Sequence, residues 1–376
     1  MPEIHIAHAV VGDADAPTDD VCVRWSDEGI ITDIEPASGA AVEPGWAVPG
    51  YLDTHTHGAV GYDFGHADEA QALAILEHHH RHGATSVFAS VATDAPERMI
   101  AQARMLASLC DRGDLDGIHL EGPFLAEARK GAHSAELLRD PTAQIVEELI
   151  EACGSHLAMV TLAPERDGGL DAVRRFARAG VRVAFGHSDA DAATTGQCID
   201  AGARVATHLF NAMAPIHHRS PGPIPRLLTD PRVMCELIAD GVHVHADVLA
   251  MAFRTAGAGR IALITDSMAA TGLGDGDYRL GALPVRVIDG VARVLTDDGT
   301  EGAIAGSTLT MDAAFAHAVA CGASILQTAH MAAITPARVH GLETVGRLEP
   351  GRRADLVIVD ERGRAQRVLR KGEWLT

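Results

Sequence analysis

Pro49-Gly50-Tyr51-Leu52-Asp53-Thr54-His55-Thr56-His57-Gly58 opens the repetitive part of this 376-residue chain. Side chains alternate along a strand, so His55 and His57 project to one face. Two neutral imidazoles there can grip one divalent cation, and Gly58 lets the backbone turn away. The apolar run that carries the pair, 46–55, is the first of eight. The others are 85–91, 117–120, 157–162, 181–185, 204–207, 233–239 and 261–265. Helical patterns separate most of them, at 69–82, 96–110, 142–152, 170–179 and 192–201. Gly83, Gly154, Gly180 and Gly202 close several. Continuous apolar strands alternating with amphipathic helices indicate a parallel sheet covered on both faces. Eight units predict an α/β protein built as a closed (β/α)₈ TIM-like barrel. No G-x-G-x-x-G follows the first strand, which weakens a dinucleotide-binding alternative.

The flanks differ. Alternating runs at 21–25 and 29–34, and again at 354–359 and 367–370, read as strands. We expect the two ends to pair into a small β-sandwich domain, 1–48 with 346–376, beside a barrel of 49–345. A hairpin around Asp289-Gly290, within 278–300, is a further contributor to it. Helices are expected at 309–320 and 325–333.

With 51 acidic against 31 basic residues the formal charge is −20, which argues against nucleic acid or an anionic membrane surface as partner. The six cysteines (22, 110, 153, 198, 235, 321) form no C-x-x-C pair and read as reduced, buried thiols. The N-terminus has no signal-peptide pattern, and no apolar run is long enough to span a bilayer. A cytoplasmic, soluble protein is expected.

In a barrel the C-terminal strand ends meet at one mouth. His55 and His57 end the first strand, Glu121 the third, His187 the fifth, His208 the sixth and Asp266 the eighth. A single strand-end histidine is more often a structural hydrogen-bonding group, and Asp266 alone also reads as a cap on the following loop. Together they form a set suited to Zn²⁺ or Fe²⁺. Gly186-His187-Ser188 is not a G-x-S-x-G elbow, and Ser188 reads as a helix cap. His78, His79, His80 and His82 lie on one helix and are expected on its solvated surface, while His5 and His8 suggest no cluster with other ligands.

Several runs carry a resemblance: 49–64, His119-Leu120-Glu121-Gly122-Pro123-Phe124 with Lys130-Gly131-Ala132-His133, Gly186-His187-Ser188, 207–213, 238–243, Thr265-Asp266 and 305–311. In order and over nearly the whole chain, they resemble the amidohydrolase superfamily, and within it the N-acetylglucosamine-6-phosphate deacetylase family. The resemblance implies hydrolytic deacetylation of an amino-sugar phosphate, in amino-sugar catabolism, with one or two divalent metals (Zn or Fe first, Mn or Co also). Glu121, His187 and His208 would hold the main ion, Glu121 standing where many superfamily members use a carboxylated lysine. His55 and His57, with Asp266 nearby, could hold a second. Asp266 would be general base and acid, and His133 and His243 would orient the sugar or polarise its carbonyl. Asn211, the Ala212 N–H and His243 would meet the phosphate, with Arg219 reaching it from the neighbouring subunit of a homodimer. Ser307 would close the site over the sugar or cap a helix. The alternatives are another amide hydrolase or deaminase of the superfamily, or a catalytically silent sugar-phosphate-binding protein.

Overall fold

The structure, a computed structural model, describes residues 2–13, 16–37, 41–281, 283–296 and 299–375. Eight parallel strands follow one another in sequence order: Leu52–Thr56, Ser86–Ala92, Gly117–Glu121, Leu157–Leu162, Arg182–Phe185, Ala203–Ala206, Met234–Ile238 and Ile261–Ile264. Nearly every residue in them is buried, as expected of strands covered on both faces. The ends of the first and last strands meet through side chains and backbone bonds. Thr265 Oγ1 donates to Asp53 Oδ2 at 2.6 Å, and Asp266 N donates to His55 O at 2.8 Å. These contacts close the barrel and bring Asp266 beside the H-x-H pair.

The expected first strand, 46–55, is in fact two. Glu43–Pro49 pairs with Leu356–Val359 in the terminal sheet, and a new strand starts at Leu52. Between them Gly50 passes so close to Thr85 that a Cβ would lie 2.2 Å from its Oγ1. The chain can change sheets there only without a side chain.

Helix starts follow their capping residues. Asp68 and Gln71 form a capping box ahead of Glu69–Arg81, and Thr142 and Asp191 cap Ala143–Cys153 and Ala192–Ala201. On Glu69–Arg81 the buried stripe is Ala72, Ile75, Leu76 and His79, at spacings of three and four. His79 is therefore a core residue and His80 is buried too, contrary to the solvated surface expected for this histidine run. His82 remains near the surface, bonded to Asp312. The expected helix 325–333 continues to His340 through a π turn at His330–Ile334. Pro336, which lacks an N–H, lies just beyond that turn and cannot complete an α ladder.

The terminal segments make one seven-stranded mixed sheet. Its order is Glu373–Leu375, Ala365–Arg370, Leu356–Val359, Glu43–Pro49, Glu3–Ala9, Thr18–Trp25, Ile31–Pro36. It packs its own apolar cluster, including Ile6, Val23, Trp25, Ile31 and Leu356. His5, expected to stand alone, lies 3.0 Å from Glu3 Oε1 and 3.8 Å from Cys22 Sγ. Among the described residues the strands Gly276–Leu280, Leu283–Ile288, Val291–Leu295 and Glu301–Ile304 pair only with one another, as a separate antiparallel meander. Its central turn is Asp289-Gly290, both at positive φ (50° and 74°), as a tight hairpin turn requires. Among the described residues no helix is long and apolar enough to cross a membrane.

Candidate metal centre

Three of the predicted ligands sit just past their strands with left-handed backbone: His187 at φ 48°, His208 at 27° and Asp266 at 49°. Non-glycine residues rarely adopt this region, and each such residue costs on the order of 1 kcal/mol or more. His187 and His208 converge on Glu121, and Asp266 faces His55 and His57.

His187 Nε2 and His208 Nε2 lie 3.1 and 3.2 Å from Glu121 Oε1 and 3.0 Å from each other. The other nitrogen of His187 faces the carbonyl of Arg129 at 2.9 Å. That acceptor places the proton on Nδ1 and turns the Nε2 lone pair inward. A second group adjoins the first. His55 Nε2 and His57 Nε2 are 3.2 Å apart, with Asp266 Oδ1 at 3.6 and 3.4 Å. Glu121 reaches both groups, its Oε2 lying 3.1 Å from His57 Nε2. His133 Nε2 is 3.3 Å from the same oxygen.

Ligands bound tetrahedrally to one ion at about 2.0–2.1 Å are separated by roughly 3.3–3.4 Å. The observed spacings match, and inward lone pairs this close repel unless a cation or a proton lies among them. The residues fit a divalent ion. Burial alone would raise the Glu121 carboxyl, but His55, His187 and His133 hold it well below the usual range. Burial likewise opposes ionisation of Asp266, and His55 and His57 outweigh it to give about 2. Burial disfavours a proton on His57, yet Asp266 and Glu121 raise it to about 9. The two carboxylates draw positive charge into the centre; a metal ion satisfies the same demand.

Beneath the centre lies a polar layer not anticipated from sequence. Glu236 is fully buried and accepts from Thr54 Oγ1 at 2.9 Å, meets His55 Nδ1 at 3.2 Å, and lies 3.4 Å from the His208 backbone N. It orients one histidine by its ring and another by its backbone. His119 bridges Ser90 Oγ and Thr161 Oγ1, both at 2.8 Å, below Glu121. His79 Nε2 lies 3.1 Å from Thr56 Oγ1 and 3.3 Å from Ser267 Oγ, supporting the H-x-H strand from behind.

The ligands floor a cavity of about 360 Å³, roofed by Leu280, Ala303 and Ile304 of the meander. Asn211, Ala212, His133 and His243 line it. His243 Nδ1 is held by Asp240 Oδ2 at 2.6 Å, which leaves Nε2 free for a ligand. Asn211 donates its amide to the His208 carbonyl at 3.1 Å. Arg129, not anticipated, is also on the wall, with its guanidinium on Asp189. Two predicted residues stand apart. Ser307 is buried, and its hydroxyl donates to Thr265 O at 2.6 Å and accepts from Leu309 N at 2.9 Å, so it braces the loop under Asp266. Arg219 is exposed, beside His218 and off the cavity wall of its own chain. A second cavity of about 310 Å³, between Glu69–Arg81 and Trp374, contains none of the predicted site residues.

The amidohydrolase family profile matches residues 46–375. An N-acetylgalactosamine-6-phosphate deacetylase of Escherichia coli O157:H7 is 37% identical over 365 residues, 94% of each chain. An N-acetylglucosamine-6-phosphate deacetylase of Vibrio furnissii is 33% identical over 356 residues, 89% of this chain and 88% of that one. Among solved structures, a mutant N-acetyl-D-glucosamine-6-phosphate deacetylase from Mycobacterium smegmatis, in complex with N-acetyl-D-glucosamine-6-phosphate, superposes with a TM-score of 0.93. It is 40% identical, and the match covers 99% of this chain and 98% of that one. The profile match and this identity across almost all of both chains show that the protein belongs to the amidohydrolase family.

Proposed function

We propose that the chain is a metal-dependent deacetylase that hydrolyses N-acetyl-D-glucosamine 6-phosphate to D-glucosamine 6-phosphate and acetate. The observation that carries this reading is the convergence of Glu121, His187 and His208 within 3.0–3.2 Å on the floor of a cavity, with Asp266 alongside. The relatives named above, deacetylases of two hexosamine phosphates, support the substrate class.

Glu121, His187 and His208 would hold a divalent cation, with His55 and His57 available for a second, and such an ion would supply Lewis-acid polarisation of an amide carbonyl and acidification of water. Zn or Fe suits this nitrogen and oxygen set, and Mn and Co are further candidates. Asp266, ionised at neutral pH, takes the proton of the attacking water and returns it to the nitrogen as the C–N bond breaks, because an unprotonated amide anion is too basic to leave. His133, whose Nε2 lies 3.3 Å from Glu121 Oε2, orients the carbonyl. His243, Asn211 and the Ala212 N–H are the donors for the sugar and its phosphate. Arg219, being exposed, serves the phosphate of a neighbouring copy in a homodimer, and its planar fork suits phosphate oxygens. The six unpaired cysteines support a reducing, cytoplasmic location.

Acetate release by metal-loaded protein tests the proposal, with strong preference for the phosphorylated sugar expected. Equal turnover of free N-acetylglucosamine would contradict the assigned pocket. The 37% identical relative favours a second reading, N-acetylgalactosamine 6-phosphate. The two sugars differ only in the configuration of one hydroxyl, so kcat/KM for each decides between them.

A further inference from the structure

We propose a second metal site, outside the barrel, in which Glu3, His5 and Cys22 of the terminal sheet bind a Zn²⁺-class cation. Strands Glu3–Ala9 and Thr18–Trp25 run antiparallel, with His5 opposite Cys22 and Glu3 opposite Arg24. Alternation sends Ile4 and Ile6 into the sheet's apolar cluster and leaves Glu3 and His5 on the other face. Cys22, directly across from His5, shares that face.

The three ligand types are close enough to share an ion. His5 Nε2 is 3.0 Å from Glu3 Oε1, and Cys22 Sγ is 3.8 Å from His5 Nε2 and 3.7 Å from Glu3 Oε2. Tetrahedral zinc with one sulfur, one nitrogen and one oxygen requires separations of about 3.3–3.6 Å. Each of these separations lies within a few tenths of an ångström of that range, the two contacts of Glu3 being made through different carboxylate oxygens. Arg24 Nε donates to Glu3 Oε2 at 2.7 Å and orients the carboxylate, leaving Oε1 towards His5. Cys22 lies beneath while the Glu3 side chain is 41% exposed, so an ion enters from solvent and keeps its fourth position for water. A thiolate with an imidazole selects Zn²⁺ or Co²⁺ over Mg²⁺ or Ca²⁺. Binding exchanges the S–H bond for a sulfur–metal bond and releases one proton to solvent. The bound ion ties the first two strands of the sheet together.

Cobalt distinguishes this site from the barrel centre, whose candidate ligands are all nitrogen and oxygen. Metal-free protein titrated with Co²⁺ should develop a thiolate-to-cobalt charge-transfer band in the near ultraviolet. Cys22→Ser should abolish the band and leave acetate release unchanged. His5→Gln should weaken the affinity reporting on the band by about tenfold or more. No band in the wild-type protein, or a band that survives Cys22→Ser, overturns the site. Should Cys22→Ser fail to fold, His5→Gln decides: unaltered Co²⁺ affinity overturns the proposal.

Discussion

Replacing Glu236 tests whether the buried polar layer, and not the ligands alone, makes the metal centre. Glu236 is fully buried and meets Thr54 Oγ1, His55 Nδ1 and the His208 N–H at 2.9, 3.2 and 3.4 Å. Glu236→Gln keeps the volume and one acceptor oxygen, and the Thr54 hydroxyl can rotate to accept from the new amide. The charge-assisted bond to His55 is lost, a difference of about 1–1.5 kcal/mol between charged and neutral hydrogen bonds. That corresponds to about tenfold weaker metal binding. Glu236→Ala also frees the His55 ring and leaves Thr54 and the His208 N–H unpaired in a buried space, and should weaken binding by about 100-fold. Chelator competition gives the affinity, and acetate release at limiting and saturating metal gives its consequence. For Glu236→Gln, saturating metal should restore most of kcat. A folded Glu236→Ala protein that binds metal within twofold of wild type would refute the reasoning.

Asp266→Asn should lower kcat by about 10²–10⁴-fold with little change in KM, because the proton carrier is removed while the cavity keeps its shape. Comparable turnover by the variant would remove Asp266 from the reaction. Arg219→Ala should reduce kcat/KM for the phosphorylated sugar by about 10–100-fold and leave the unphosphorylated sugar unaffected, the contribution of a charged phosphate contact. An equal effect on both sugars would dissociate Arg219 from the phosphate. His79 and His80 predict acid sensitivity. Burial pushes each imidazole down to about 3, so as pH falls below about 6.5 the unfolded chain takes up protons that the native one refuses. Stability is complete above that pH and declines towards pH 3, by about 2 kcal/mol per histidine between pH 7 and 5. Urea midpoints at the two pH values measure the loss, and His79→Gln should diminish it; a pH-independent difference between the two proteins would contradict the assignment.

The barrel was legible because each strand is a short apolar run, five of the eight ending in a ligand-type residue, and that pattern survives without any knowledge of contacts. The ends of strands such as 157–162 and the helix 192–201 coincide with expectation. The sheet change at Gly50 was not legible from apolar patterning, since 46–55 is continuously apolar enough to pass for one strand. It depends on Thr85, a residue distant in sequence. Glu236 did carry a signal: an acidic residue inside Met234-Cys235-Glu236-Leu237-Ile238, a strand buried throughout, has to be hydrogen-bonded to be tolerated. His119 shares a face with Glu121 by the same alternation that joins His55 to His57. His79 lies on the apolar stripe of its helix, so spacing placed it inside, whereas counting four histidines on one helix suggested a wet surface. The His5 cluster is invisible in sequence because it depends on strand register, which pairs residues 5 and 22.

Anomalous diffraction at a metal absorption edge, on crystals of the protein as purified or reloaded with Zn²⁺, bears most directly on the central claim. A peak is expected about 2.0–2.2 Å from a Glu121 oxygen, His187 Nε2 and His208 Nε2 at the barrel mouth. A metal-saturated crystal with no peak among those three side chains would contradict that claim.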